Sequence, residues 1–192
     1  MAYHHGNARA ALLSAAAELL ESEGAARLSL RQSAERAGLS RQAPYNHFVN
    51  KETLLAELVR DGYQRLGSRI SADANPGATP SERLASAAES YIAFGQERPA
   101  LFRLMFSEEL IDLSKHGSAQ EAASAAMAEL SGIIEALAPA TDAREVTLVA
   151  WSLVHGYTSL CIEAGLEGEE KRRQRAQLFA RTIEALTRVP VV

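Results

Sequence analysis

Cysteine and long apolar runs are nearly absent from this 192-residue chain. Its single cysteine, Cys161, has no second thiol for an internal disulfide bond, which fits a reducing compartment. No segment reaches the roughly 18 uninterrupted apolar residues that a membrane-spanning helix needs. The polar residues 1–7 do not form a signal-peptide core. We therefore expect a cytoplasmic protein that does not contact a membrane.

The sequence also lacks the motifs of common enzyme active sites. It has no His-Glu-x-x-His motif, no glycine-rich phosphate loop, and no serine or cysteine nucleophile with partners at a recognisable spacing. The adjacent His4 and His5 are too few to form a metal site. We expect a protein that is not an enzyme and has no metal or cofactor, with a small helical enzyme as the remote alternative.

Residues that favour helices dominate the composition. Ala, Leu, Glu, Gln and Arg are abundant, and 47% hydrophobic residues are enough for a sizeable core. The net charge is −4, but residues 1–66 hold eight basic and seven acidic side chains, which leaves −5 for the rest. A mildly basic N-terminal part on an acidic remainder is compatible with DNA binding at one end.

Apolar periodicity and cap residues predict nine helices. Their approximate ranges are 7–22, 30–37, 41–47, 51–72, 81–96, 99–113, 118–137, 142–165 and 169–187. Gly24 and Gly38 are expected to end the first two helices. Ser29, Ser40 and Asn50 are expected to cap the second, third and fourth.

Two of the short helices, joined by Gly38-Leu39-Ser40, form a candidate helix-turn-helix over 29–48. Gly38 allows the left-handed backbone of the turn, and Ala34 is small where the helices cross. The miniature core is expected to contain Leu30, Ala37, Leu39 and Phe48. The second helix then presents its N-terminal residues to the major groove of DNA.

Polar side chains on and near this second helix are suited to read DNA. Arg41 suits guanine and Gln42 suits adenine through paired hydrogen bonds. Lys51 opens the next helix, where its charge and free backbone N–H groups can bind a phosphate together. The predicted DNA-binding residues are Ser29, Arg31, Ser40, Arg41, Gln42, Ala43, Tyr45, Asn46, His47 and Lys51.

The run from Leu30 to Leu55 resembles the DNA-binding domain of the tetracycline-repressor (TetR) family, and the resemblance covers about the first 65 residues. The family's Tyr-x-His-Phe stretch, followed two residues later by Lys-Glu, is matched by Tyr45, His47, Phe48, Lys51 and Glu52. The segments 99–106 and 151–156 are similar to a sub-branch with a Trp-x-x-x-His-Gly element.

This resemblance implies an all-α protein with an N-terminal three-helix DNA-binding domain over 1–50. A connecting helix over 51–74 would lead to a ligand-sensing and dimerisation domain over 75–192. The implied function is a dimeric repressor that binds a palindromic operator in double-stranded DNA and is released by a small-molecule effector. A regulator that needs no ligand, or that activates transcription, is the alternative.

Two details concern the DNA-binding end. Pro44 stands where the family often has a larger apolar residue. As the fourth helical residue it forfeits one early hydrogen bond, and we expect it to stiffen the helix start without breaking it. Because the first helix begins near the DNA backbone in this family, His4 and His5 either contact DNA or stay solvated.

The predicted helix at 142–165 is apolar on nearly all sides, so we expect two opposite sides of it to be buried. One side can pack in the core and the other against a second copy, which predicts a homodimer through helices 142–165 and 169–187. Gly156 in mid-helix costs about 1 kcal/mol relative to alanine, and a close helix approach would compensate. Cys161 is expected to be a buried, inert thiol, and the basic cluster at 171–175 a solvated face paired with acidic residues.

Apolar and aromatic side chains of the C-terminal half are candidates to line an effector pocket. They are Phe94, Phe102, Met105, Phe106, Met127, Trp151 and His155. A plain core position is the competing interpretation for each of them. For His155 this means a core histidine whose ring nitrogens are satisfied.

Overall fold

The computed structural model describes residues 5–72, 77–139, 142–165 and 168–188, with side chains from Ala8 onward. Every regular element in these ranges is helical, which confirms the predicted all-α class. The α-helices are α1 His5–Arg27, α2 Leu30–Arg36, α3 Lys51–Ala72, α4 Pro80–Glu97, α5 Pro99–Met105, α6 Gly117–Leu137, α7 Ala143–Ala164 and α8 Glu169–Leu186, with 3₁₀ turns at Ala43–Asn46 and Leu113–Lys115. No helix in the described ranges has the length and apolar character needed to cross a membrane.

Several predicted helix ends are confirmed by their cap bonds. The Ser29 hydroxyl accepts a hydrogen bond from the Gln32 amide at 3.2 Å, and Asn50 Oδ1 accepts one from the Thr53 amide at 2.9 Å. Gly24 leaves the helical conformation as expected, with φ 81 and ψ 163. The chain then makes one further turn, so α1 extends beyond its predicted end.

The predicted helix over 99–113 was too long, because α5 ends at Met105. The chain turns directly afterwards, and the Ser107 carbonyl accepts the amides of Leu110 and Ile111 at 3.2 and 3.1 Å. Ile111 is buried in this turn. The prediction of a continuous helix did not identify it as a core residue. The Asp112 carboxylate then caps the 3₁₀ turn by accepting the Ser114 amide.

Contacts divide the chain into two compact units that do not follow chain order. The first contains the described residues up to Tyr63 together with Arg98–Ala122. The second contains Gln64–Glu97 and the described residues from Ala123 onward. Helix α3 begins in the first unit and ends in the second, and so does α6.

Helix α5 is bound to the rest of the first unit at both of its ends. The two carboxylate oxygens of Glu21 accept the backbone N–H groups of Ala100 and Leu101, each at 3.0 Å. First-turn amides have no acceptor inside their own helix, so the carboxylate satisfies both and places a negative charge at the positive end of the helix. At the other end, the Tyr63 hydroxyl donates to the Met105 carbonyl at 2.9 Å.

Gly62 lets α5 approach α3 closely. A Cβ atom at this position would lie 2.7 Å from Met105 Sδ and 3.4 Å from Leu101 Cδ1. Burial raises the pKa of the neighbouring Tyr63 to about 12, so its hydroxyl remains a hydrogen-bond donor at neutral pH. The position of α5 in the first unit is therefore fixed by packing as well as by hydrogen bonds.

In the second unit, α4 packs against α7 and α8, which also contact each other. Small side chains line the buried face of α8, including Ala176 and Ala180. The Tyr157 and Phe179 rings join α7 to α8 at a centroid distance of 5.2 Å. Cys161 is buried, as expected.

The basic cluster at 171–175 follows the prediction only in part, because Arg173 pairs with a carboxylate whereas Arg172 and Arg175 are half-buried against uncharged groups. Arg172 donates to Gln96 Oε1 at 3.2 Å, and Arg173 lies 3.5 Å from the Glu89 carboxylate. The Arg175 guanidinium sits 5.4 Å from the centre of the Tyr157 ring.

Replacing Glu21 with alanine should lower the free energy of unfolding by about 1 kcal/mol, the usual cost of removing a helix cap. The cause would be the loss of both acceptors at the start of α5. Urea unfolding followed by circular dichroism measures this, with Glu23→Ala, exposed on the same helix, as the matched control. Equal losses in the two variants would contradict a specific capping role for Glu21.

Candidate DNA interface and effector site

A pair of backbone hydrogen bonds closes the turn that follows α2. The chain then enters the segment over 41–47, which we call the recognition segment. The Leu39 amide donates to the Ala34 carbonyl at 2.9 Å, and the Gly38 amide donates to the Glu35 carbonyl at 3.1 Å. Gly38 has φ 67, the left-handed conformation expected for it. Together these features form a Schellman motif, which ends α2 and redirects the chain.

The recognition segment is a single 3₁₀ turn over Ala43–Asn46, so the predicted α-helix over 41–47 was wrong. Proline has no backbone N–H, so Pro44 cannot donate to the Ser40 carbonyl as an α-helix requires. The Ala43 amide donates to that carbonyl instead, at 3.0 Å. Ser40 does not cap the segment, because Gln42 occupies the N-cap position without a side-chain bond.

Most of the predicted DNA-binding side chains are accessible. Tyr45 is 45% exposed, and Ala43 and His47 are half-buried. The exposed polar members of the set are Arg31, Ser40, Arg41, Gln42 and Asn46. Phe48 is buried as predicted, and so are Leu30 and Ala34, whereas Ala37 and Leu39 are half-buried.

Two predicted contact residues already bond within the chain. The Ser29 hydroxyl caps α2 and also donates to Gln32 Oε1 at 2.7 Å. The Lys51 ammonium donates to the Ala26 carbonyl at 3.1 Å. An ammonium group has three N–H donors, so one bond to Ala26 does not use up its capacity.

Arg9 also belongs to this unit, although no pattern in the sequence indicates its partners. Its guanidinium lies 2.6 Å from the Glu57 carboxylate and 5.7 Å from the centre of the Phe48 ring. Glu57 also pairs with Arg60 at 2.7 Å. The start of α1 is thereby joined to α3 and to the core beneath the recognition turn.

The candidate effector residues are divided between the two units. Phe102, Met105 and Phe106 belong to the first unit, where the rings of Phe102 and Phe106 lie 5.0 Å apart. Phe94, Met127, Trp151 and His155 belong to the second. Among the described residues, no three His, Cys, Asp or Glu side chains are grouped to hold a metal ion.

In the second unit, Tyr91 of α4 joins two of these residues through hydrogen bonds. The Trp151 indole N–H donates to the Tyr91 hydroxyl oxygen at 3.2 Å. The Tyr91 oxygen lies 2.8 Å from His155 Nδ1. Burial lowers the pKa of His155 below its ordinary value of 6.5. The histidine is therefore neutral at pH 7, and the Tyr91 O–H can donate to its Nδ1.

Two family models match this chain and together span both units. The model described as bacterial regulatory proteins of the tetR family matches residues 12–58. The model of the tetracyclin repressor-like C-terminal domain matches residues 84–186, more than half of the chain. The chain belongs to the TetR family.

Individual relatives agree with this membership. The TetR-family chain is 30% identical to a protein of unknown function from Rhodococcus sp. RHA1, whose structure matches with a TM-score of 0.80 over 94% of this chain and 97% of that one. It is 32% identical over 106 residues to the nucleoid occlusion factor SlmA of Vibrio vulnificus strain YJ016. The matched residues make up 55% of this chain and 54% of SlmA. The chain thus spans about half the length of the curated relatives it matches.

A third similarity concerns the fold alone. The transcriptional regulator FadR from Bacillus subtilis, in complex with stearoyl-CoA, is 16% identical and has a TM-score of 0.73. The match covers 96% of this TetR-family chain and 100% of FadR.

Tyr91 was missed by sequence reasoning, because it lies 60 residues before Trp151 and 64 before His155. A tyrosine on the apolar face of an amphipathic helix fits an ordinary core position. Only the packing of α4 against α7 shows that its hydroxyl meets two polar groups.

The lowered pKa of His155 predicts a pH-dependent stability for this TetR-family protein. Below pH 6.5 the unfolded chain binds a proton at His155 more readily than the folded chain. The contribution of His155 to the free energy of unfolding should therefore be fully present above that pH and fall as the pH drops toward the lower folded pKa. Denaturant unfolding at pH 7.5 and at lower pH should show a smaller loss in His155→Gln than in the natural protein. His47→Gln, at a half-buried histidine of the first unit, is the control, and the same pH dependence in all three proteins would contradict the assignment.

Proposed function

We propose that this TetR-family protein is a dimeric repressor that binds a palindromic operator and is released by a small-molecule effector. In this proposal residues 1–50 bind DNA, 51–74 connect, and 75–192 sense the effector and dimerise. The observation that supports it most strongly is the exposed recognition turn directly after the Schellman motif at Gly38. This turn carries polar side chains that suit base and phosphate contacts, within a chain that belongs to a family of DNA-binding regulators.

The proposed DNA contacts fall into two classes. Contacts to the bases and their surroundings are assigned to Arg31, Ser40, Arg41, Gln42, Ala43 and Asn46. Contacts to the phosphate backbone, which fix the register of the protein on the duplex, are assigned to Ser29, Tyr45, His47 and Lys51. Lys51 serves both structure and binding, since its ammonium holds Ala26 and still has N–H groups for a phosphate oxygen.

Dimerisation is supported by apolar side chains that remain outside the core of the second unit. Five of them are between 47% and 57% exposed: Leu148, Val149 and Leu160 on α7, and Leu178 and Leu186 on α8. Val149 and Leu160 lie three helical turns apart on one face, with Gly156 between them. A Cβ atom at Gly156 would meet nothing within 4 Å in the chain itself, which leaves room for a partner helix in a two-fold interface.

We place the effector site in the second unit, around Trp151, His155 and the linking Tyr91. Phe94 and Met127 are the apolar members proposed for the same unit, and Trp151 to Gly156 would mark the sub-branch. FadR is in complex with stearoyl-CoA, and an apolar effector would suit the aromatic character of this cluster. If effector and operator favour different states, saturating operator must weaken effector binding by the same factor by which saturating effector weakens operator binding.

The similarity to SlmA favours a second candidate function. SlmA is named a nucleoid occlusion factor, and in this alternative the chain binds DNA to take part in nucleoid occlusion rather than to control transcription. A deletion that changes transcript levels of adjacent genes would support the repressor. Unchanged transcripts with a defect in nucleoid occlusion would support the second function.

Operator binding tests the proposal directly. Selection from a random DNA pool should recover a palindrome, because each recognition turn of a two-fold dimer reads one half-site. Fluorescence anisotropy at about 150 mM salt should then give specific binding in the range of about 10⁻⁸ to 10⁻¹¹ M. Arg41→Ala should weaken binding by about 1–3 kcal/mol and relax the preference for one base pair. Tyr45→Phe should weaken binding to all sequences alike.

The matched control is Arg103→Ala, an exposed arginine on α5 that is outside the proposed set. It should leave both affinity and base preference unchanged. Failure to recover a palindrome, or equal effects of the Arg41 and Arg103 substitutions, would contradict the repressor proposal.

A further inference from the structure

Gly24 has a backbone conformation that other residues rarely adopt. Its φ of 81 and ψ of 163 lie in a region that is open essentially to glycine alone. It interrupts α1, and its carbonyl accepts the Leu28 amide at 3.3 Å. The interruption therefore starts a separate helical turn over residues 25–28, whose direction is set by Gly24.

The separate turn carries the carbonyl that binds Lys51. The Ala26 carbonyl accepts the Lys51 ammonium at 3.1 Å, across 25 residues of sequence. Lys51 is the first residue of α3 and directly follows the Asn50 cap. A change in the direction of the 25–28 turn would move the Ala26 carbonyl, and the long lysine side chain would lose the group that orients it.

We propose that Gly24 is a positioning residue for DNA binding: its left-handed backbone places the Ala26 carbonyl so that the Lys51 ammonium is held ready for a phosphate. This inference rests on the proposed function, in which Lys51 binds the DNA backbone. Gly24 acts through Ala26 and Lys51 and needs no contact with DNA of its own.

Alanine at position 24 isolates this effect. A Cβ atom there would meet nothing within 4 Å, so the substitution causes no collision. Its consequence is confined to the backbone, which must leave the φ of 81. Gly165 offers a matched control, because it also has a positive φ, of 64, and open space around its Cβ, but it belongs to the second unit.

The test measures how operator affinity depends on salt, using fluorescence anisotropy and the operator recovered by selection. The slope of log K against log salt concentration is negative, and we refer to its magnitude. Each phosphate that the protein neutralises adds about 0.9 to that magnitude. Lys51→Gln should lower the slope by about that amount for each phosphate that the variant no longer binds. Gly24→Ala should lower it similarly, and the double variant should show little further change. Gly165→Ala should keep the natural slope, and its combination with Lys51→Gln should have the slope of Lys51→Gln alone.

The outcomes separate this inference from the function on which it rests. A natural slope in folded Gly24→Ala, with a reduced slope in Lys51→Gln, overturns the positioning role and leaves the phosphate contact intact. A natural slope in Lys51→Gln overturns the phosphate contact, and the positioning role with it. Absence of any operator overturns the proposed function itself.

A measurement on the natural protein serves if Gly24→Ala does not fold. The chain has three lysines, Lys51, Lys115 and Lys171, so ¹⁵N NMR of the ammonium groups is readily assigned with glutamine variants. Hydrogen exchange of the Lys51 ammonium should be slower than that of the exposed Lys171. Equal exchange would show that Ala26 does not hold Lys51, which overturns the inference.

Discussion

The carboxylate of Glu21 is the contact on which the organisation of the first unit depends. Helix α5 has seven residues and is too short to be stable by itself. Pro99 begins it, and the two amides that follow would have no acceptor without Glu21. With Tyr63 bonded to its last carbonyl, this segment from the middle of the chain belongs with the N-terminal helices. A single side chain on α1 thus helps explain why the compact units do not follow chain order.

Features that depend on short stretches of sequence could be predicted, and features that join distant residues could not. The Ser29 cap, the Asn50 cap and the turn at Gly38 each involve bonds between residues at most five positions apart. Their residue types state the bond they will make. Nothing near Glu21 indicates that it caps a helix 79 residues later. Nothing near Tyr91 indicates that it meets an indole and an imidazole.

Pro44 shows how a correct local argument can underestimate its consequence. The sequence predicted one missing hydrogen bond in an otherwise intact recognition helix. In the structure, the Ser40 carbonyl is taken by Ala43 instead, and the segment continues as a 3₁₀ turn. Such a turn has about 3.0 residues per turn, so Ala43 and Asn46 align along one side. Arg41 and Gln42 precede the turn. The exposure of Arg41, Gln42 and Tyr45 could therefore be predicted from the sequence, but not the backbone that directs them.

Helix α7 buries two polar side chains while it leaves several apolar ones half exposed. Two threonines, Thr147 and Thr158, are buried, while Val149 and Leu160 are about half exposed. The threonines tolerate burial because their hydroxyls donate to the carbonyls four residues earlier, at 2.6 and 2.7 Å. Periodicity predicted that the helix would be covered on two sides, but an apolar count could not say which side the chain covers itself. Because Ala150, Val154 and Cys161 are buried together with the threonines, the apolar side chains of α7 are divided between this buried face and another surface. With Gly156 among them, that surface is the one we propose for a second copy of the chain.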